Sequence, residues 1–206
     1  MERPKTIGVF AGLLTSEGKN RLQRRIEKDS IIPGKTFEGD YELPGGRVGE
    51  TDLKKALTLE VLRRELVSKV KNDLGINIMI LPNPPLYLAI LDDSAKGICD
   101  WAFMMPIPSW PIYWNENAPM ARKTIDVSPN ELYELAQQPK GQQLLSGWGK
   151  RMCRMSLGAL INSPVSLYRA EASAFLGLIK LNWETTEYFS NPEEALAKLR
   201  KELGLE

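Results

Sequence analysis

The stretch YELPGGRVGETD, Tyr41 to Asp52, holds residue types that handle phosphate. Paired glycines let a backbone approach an oxyanion closely, and an arginine follows them directly. Two readings of Gly45 and Gly46 are open: a close approach to phosphate, with Arg47 beside it, or a tight turn. The segment that follows carries Lys54, Lys55, Arg63, Arg64, Lys69 and Lys71, a basic helix face that is either solvated or able to bind a phosphate without a metal. The 206 residues include no histidine, so a Ser-His-Asp triad, a Cys-His pair and a His-ligated zinc site cannot be built from this chain alone. Acid–base chemistry must then use carboxylates, Lys, Tyr or metal-bound water.

The elements that must position these residues follow from periodicity. Thr6 to Leu14 is apolar and rich in strand formers, TSEGKN supplies a turn, and RLQRRIE resumes with alternation, which predicts a β-hairpin. The polar stretch KDSIIPGKTFEGD reads as a loop, YEL as a short strand and PGG as a turn. From Leu53 to Leu74 there is no Gly or Pro, and Leu53, Ala56, Leu57, Leu62, Leu66, Val70 and Leu74 recur at helical spacing. This predicts one helix of roughly 33 Å, capped by Thr51 or Asp52 and closed by Gly75. INIMIL, LYLAILDD and ICDWAFMMPIP then read as strands, and Ser128 with Glu131 predicts a capped short helix in DVSPNEL. From about Gly141 onward, three apolar-periodic stretches broken by NSP and SNP read as helical.

With 27 Lys and Arg against 26 Asp and Glu, the formal charge of +1 gives no global field toward nucleic acid or anionic membrane, and neither partner is predicted. Cys99 and Cys153 lie far apart without metal-ligand spacing. No apolar run reaches the length of a membrane span, and the first residues show no cleavage site, so a cytoplasmic location is the default expectation.

The order of these features resembles the Nudix hydrolases over roughly Lys5 to Gln137: the early hairpin, ELPGGRVGET leading into a helix, LGI at Leu74–Ile76 closing it, and DVSPNEL before a short helix. The resemblance implies an α/β fold, a Nudix-like α/β/α sandwich around a mixed sheet over residues 1–140, with a helical C-terminal extension over 141–206. It also implies cleavage of the pyrophosphate in a nucleoside diphosphate derivative, with Mg²⁺ or Mn²⁺ held by glutamates on one helix face. The family's box places Arg-Glu and Glu-Glu on that helix, and this chain departs from it. Anchored on DLGI, Ser68-Lys69 stand for Arg-Glu and Asn72-Asp73 for Glu-Glu; anchored on RREL, Arg64-Glu65 match but Ser68-Lys69 replace the paired acids. A register placing Glu60 at the glutamate of Arg-Glu puts Arg63-Arg64 at the acids, and the one anchored on Glu50 puts Thr58-Leu59 at Arg-Glu. No register keeps more than one of the three metal-binding acids.

Under the resemblance the catalytic acids are Glu60 and Glu65, the metal ligands Glu50, Glu60, Glu65 and Asp73, and the substrate contacts Gly45, Gly46, Arg47 and Arg64. The alternative is a non-catalytic Nudix-like module that binds a nucleotide or a protein partner, with the C-terminal helices forming a partner surface or a homodimer contact. Read without the family, Glu60 lies at the edge of the apolar stripe and pairs with Arg64 or with a strand residue, while Glu65, about 140° away, is a solvated partner of Lys69. Trp101, Trp110, Trp114 and Tyr113 either stack on a base or cover a core edge, and Glu116 is a loop candidate for a late acid.

Overall fold

The computed structural model describes residues 6–26, 40–49, 52–93, 98–109, 113–137, 149–179 and 184–205. Strands β1 (Thr6–Leu14) and β2 (Asn20–Arg24) form the expected hairpin, with Leu13 opposite Arg21 and Leu14 opposite Asn20. Then come β3 (Tyr41–Glu42), β4 (Gly45–Arg47), α1 (Leu53–Ala56), α2 (Leu59–Leu74), β5 (Leu86–Asp93), β6 (Ile98–Pro108), β7 (Thr124–Val127) and α3 (Pro129–Gln137). The chain continues through α4 (Gly149–Leu160), α5 (Ser166–Leu178), β8 (Glu184–Phe189) and α6 (Pro192–Glu202).

Among the described residues, eight strands make one sheet in the order β3-β2-β1-β6-β5-β8, with β4 added to β1 and β7 to β2. The β1–β6 pair is parallel, running from Thr6 opposite Asp100 to Leu14 opposite Pro108, while the β5–β6 and β5–β8 pairs are antiparallel. The sheet is therefore mixed, as expected, and helices cover both faces. Leu62, Leu66, Val70 and Leu74 of α2 pack with Ala195, Leu196 and Leu199 of α6 over Val9, Trp101 and Phe103. On the other face Leu132 of α3, Met152, Met155 and Leu160 of α4 and Ala172 of α5 cover Leu22, Tyr87 and Met104. This is an α/β sandwich with C-terminal helices packed on it.

Three expectations are corrected. The single helix over Leu53–Leu74 is two helices, broken at Leu57 and Thr58. On a continuous helix Leu57 and Leu59 would point about 200° apart, yet both are buried, at 0% and 8% exposure. Breaking the helix lets both face the core. Thr58 then caps α2 by accepting from the Val61 amide, and the carbonyl of Leu57 accepts from Arg200 of α6 at 2.7 Å. At the far end Gly75 takes φ 74°, the left-handed closure that its sequence position suggested.

INIMIL forms no strand. Ile76, Ile78 and Ile80 are buried in alternation, but the segment bonds to a loop and a helix instead of a ladder: the Met79 amide donates to the Tyr113 carbonyl at 2.6 Å, and Arg63 donates to the Ile80 carbonyl at 3.1 Å. The helical reading of the last third also missed β8, whose Thr185, Thr186, Tyr188 and Phe189 are β-branched and aromatic. Among the described residues, no helix is long and apolar enough to cross a membrane.

Candidate functional site

The chemistry-bearing face of α2 is the line Glu65, Lys69, Asp73, one helical turn apart, which lies over β4 and reaches Gln23 of β2 through Asp73. Glu65 accepts from the Gly49 amide at 3.3 Å, and the Arg64 guanidinium lies 3.8 Å from it. Its expected salt bridge to Lys69 is not formed, because the loop after β4 presents an N–H that holds the carboxylate instead. Lys69 extends across Gly46, so that a Cβ added there would lie 3.3 Å from its Cδ. Asp73 is fully committed: Oδ1 accepts from Arg122 at 2.8 Å and Oδ2 from Gln23 at 3.2 Å.

Glu60 sits elsewhere. It is exposed in the first turn of α2, where a negative charge favours the helix dipole, and it forms no salt bridge with Arg64 among the described residues. The break before Thr58 removes the phase relation to Leu53 and Ala56 and makes Glu60 a first-turn residue of α2. Glu50 lies outside the described residues. Arg47 and Arg64 are exposed.

The paired glycines do not form the expected turn. They are strand residues, with Gly45 opposite Phe10 and Gly46 opposite Val9. A Cβ on Gly45 would come within 2.2 Å of the Val9 carbonyl oxygen and 2.7 Å of Phe10 Cα, at φ +145°. Glycine at 45 is thus demanded by the approach of β4 to β1.

Beside Asp73 a chain of side chains crosses four segments. Arg25 donates to Glu42 at 2.7 Å, Gln23 stands opposite Glu42 in the β2–β3 register and bonds Asp73, and Arg122 closes the far end. Burial pushes the Glu42 carboxyl up to about 7, against the pull of Arg25 and Gln23 and with a small further push from Asp73. Burial likewise raises Asp40 to about 6, opposed by Arg25. Sequence reasoning named Asp73 but passed over Gln23, Arg25, Asp40, Glu42 and Arg122. Alternation in RLQRRIE puts Gln23 and Arg25 on one face with Arg21, and that signal was readable; Arg122, in a Pro-rich loop, carried none.

A second polar group lies at the other end of β2. Arg21 forms a two-pronged pair with Asp126 at 2.6 Å and donates to the Glu116 backbone carbonyl. Its guanidinium lies 5.2 Å from the ring centre of Trp114. The Glu116 carboxylate accepts from the amide and hydroxyl of Ser16. Burial works against its ionised form, but these bonds outweigh it and hold the carboxyl below its ordinary range. Glu116 borders a shallow pocket of about 280 Å³ with Ser109, Trp114, Asn115 and Asn117. Trp101 and Trp114 are core residues, so base stacking does not describe them; Trp110 lies outside the described residues.

A divalent cation of the magnesium type needs several carboxylate oxygens converging at about 2.0–2.6 Å. Among the described residues no three Asp, Glu, Cys or His side chains converge in that way. Glu65 and Asp73 each accept from other partners, Glu60 stands apart in the first turn of α2, and Lys69 lies between Glu65 and Asp73 along the same helix face. Among the described residues this donor set does not fit Mg²⁺ or Mn²⁺.

No family model matches the sequence, and no curated protein matches it. Solved structures similar to this chain include a MutT NUDIX hydrolase from Burkholderia pseudomallei, at 18% identity over 75% of this chain and 98% of that one, with a TM-score of 0.46. NrtR from Shewanella oneidensis is similar at 16% identity over 84% of this chain and 78% of that one, with a TM-score of 0.46. A MutT protein from Methanosarcina mazei Go1 shares 17% identity over 75% of this chain and 96% of that one, with a TM-score of 0.43. At these values the likenesses assign no activity to this chain.

Proposed function

We propose that this chain is a non-catalytic Nudix-like module that binds a nucleotide or a related pyrophosphate-bearing small molecule. The supporting observation is the state of Asp73. In the register anchored on DLGI, which also sets Glu60 at the box's earlier glutamate, it is the one kept of the family's three metal-binding acids, and both of its oxygens are engaged by Arg122 and Gln23. Freeing it for a metal would leave the Arg122 guanidinium, 10% exposed, without this carboxylate. A cytoplasmic location, a division at about residue 140 and a homodimer through the C-terminal helices belong to the same proposal; sedimentation of the purified chain reads the last.

The test is a panel of nucleoside diphosphate derivatives assayed for turnover with Mg²⁺ and Mn²⁺, with binding followed by calorimetry. We expect binding, with turnover at least roughly a thousandfold below the ~10 s⁻¹ of an ordinary enzyme. Turnover near that ordinary rate, abolished by Asp73→Asn, would reinstate a divergent metal-dependent hydrolase.

A further inference from the structure

Among the described residues no carboxylate is turned to Lys69. The carboxylates one turn before and after it are turned to other partners, Glu65 to the Gly49 amide and Asp73 to Arg122 and Gln23. Among the described residues Lys69 forms no salt bridge. Arg64 lies beside Glu65 and Arg122 beside Asp73, so among the described residues Lys69 is the cation of this line that has no carboxylate beside it. The side chain is also placed. Its Cδ and Cε lie 3.3 and 3.7 Å from where a Gly46 Cβ would stand, so the stem rests on the bare backbone of β4. Among the described residues β4 pairs with β1 alone, so there the backbone groups of its other edge have no ladder partner, one strand width from the Lys69 stem.

We propose that Lys69 and the open edge of β4 form a metal-independent site for a phosphate or pyrophosphate oxyanion. The ammonium brings three donors and a full positive charge, which suits phosphate as a point charge. Strand amides add neutral donors. Positive charge that a divalent cation would otherwise bring is here part of the chain, so chelation leaves the site intact. The inference rests on the binding-module reading and gives it a ligand class and a residue.

The experiment is calorimetric titration of the full chain with inorganic pyrophosphate and with a nucleoside diphosphate, each in EDTA and again with Mg²⁺. Wild type should bind in EDTA, Lys69→Ala should weaken binding about tenfold or more, and Lys69→Arg should retain most of it. In wild-type protein pyrophosphate should also protect Lys69 from acylation, read by mass spectrometry, which keeps the test decisive if the alanine variant folds poorly. Tighter binding of the nucleoside diphosphate would identify a nucleotide as the source of the oxyanion, and equal binding the free anion; both support the site. Binding that requires Mg²⁺, no binding of either anion, or equal affinity in Lys69→Ala with Lys69 unprotected would overturn it. Turnover with Mg²⁺ would sink the non-catalytic reading alone, since it leaves the EDTA comparison unchanged.

Discussion

Gly45→Ala is expected to destabilise the protein by about 3 kcal/mol or more, enough to consume much of a domain's net stability. The added methyl would stand 2.2 Å from the Val9 carbonyl oxygen and 2.7 Å from Phe10 Cα, and both are backbone atoms of the strand central to the sheet. Neither can swing away as a side chain would. Gly46→Ala is the internal comparison. Its methyl would meet only the flexible end of Lys69, at 3.3 Å, so the main cost is the positive φ, about 1 kcal/mol. Denaturant unfolding of both variants measures the difference. Equal, small losses would mean that β4 can withdraw from β1 and that the close approach is not what requires glycine at 45.

Glu42→Gln should change the pH dependence of stability by up to about 3 kcal/mol between pH 4.5 and 8. In the folded chain the carboxyl is raised from 4.5 to about 7 by burial, partly offset by Arg25 and Gln23. Below pH 4.5 the group is protonated in both states and contributes no pH dependence. Between 4.5 and 7 the unfolded chain releases the proton while the folded chain keeps it, so wild-type stability falls as pH rises, and the fall is complete above 7. Glutamine mimics the protonated acid and removes this slope. Stability relative to wild type should therefore move in favour of Glu42→Gln as pH increases, whatever the offset at pH 4.5. Asp40, raised to about 6 by burial against the pull of the same Arg25, titrates in both proteins. A gap between the two proteins that is flat in pH, or that moves the other way, would show that Arg25 holds Glu42 ionised.

The sheet was legible where one rule acted alone. LYLAILDD and ICDWAFMMPIP are strands as read, and Ser128 with Glu131 forms the reciprocal cap that its spacing announced, with bonds of 2.7 and 3.3 Å. Misreadings arose where two signals competed. Leu53 to Leu74 satisfies a helical period almost throughout, but Leu57 and Leu59 cannot share a face, and that conflict marked the break at Thr58. INIMIL alternates as a strand should, yet alternation records burial, and a ladder partner is a separate requirement. The polar network was hidden for another reason: Gln23, Glu42, Asp73 and Arg122 come together from four segments, and the Asp73–Arg122 pair spans 49 positions. No local window contains it.

The placement of β8 sets an order on folding. It pairs with β5 across about a hundred residues, Leu86 opposite Phe189, and completes that edge of the sheet. At about 5–20 residues per second, a ribosome needs roughly 5–20 s to make the chain between the two strands. During that interval β5 would offer its outer backbone groups to any neighbouring strand. Nascent chains arrested before Glu184 should therefore associate with one another or with a holding chaperone, and chains that have released Phe189 should not.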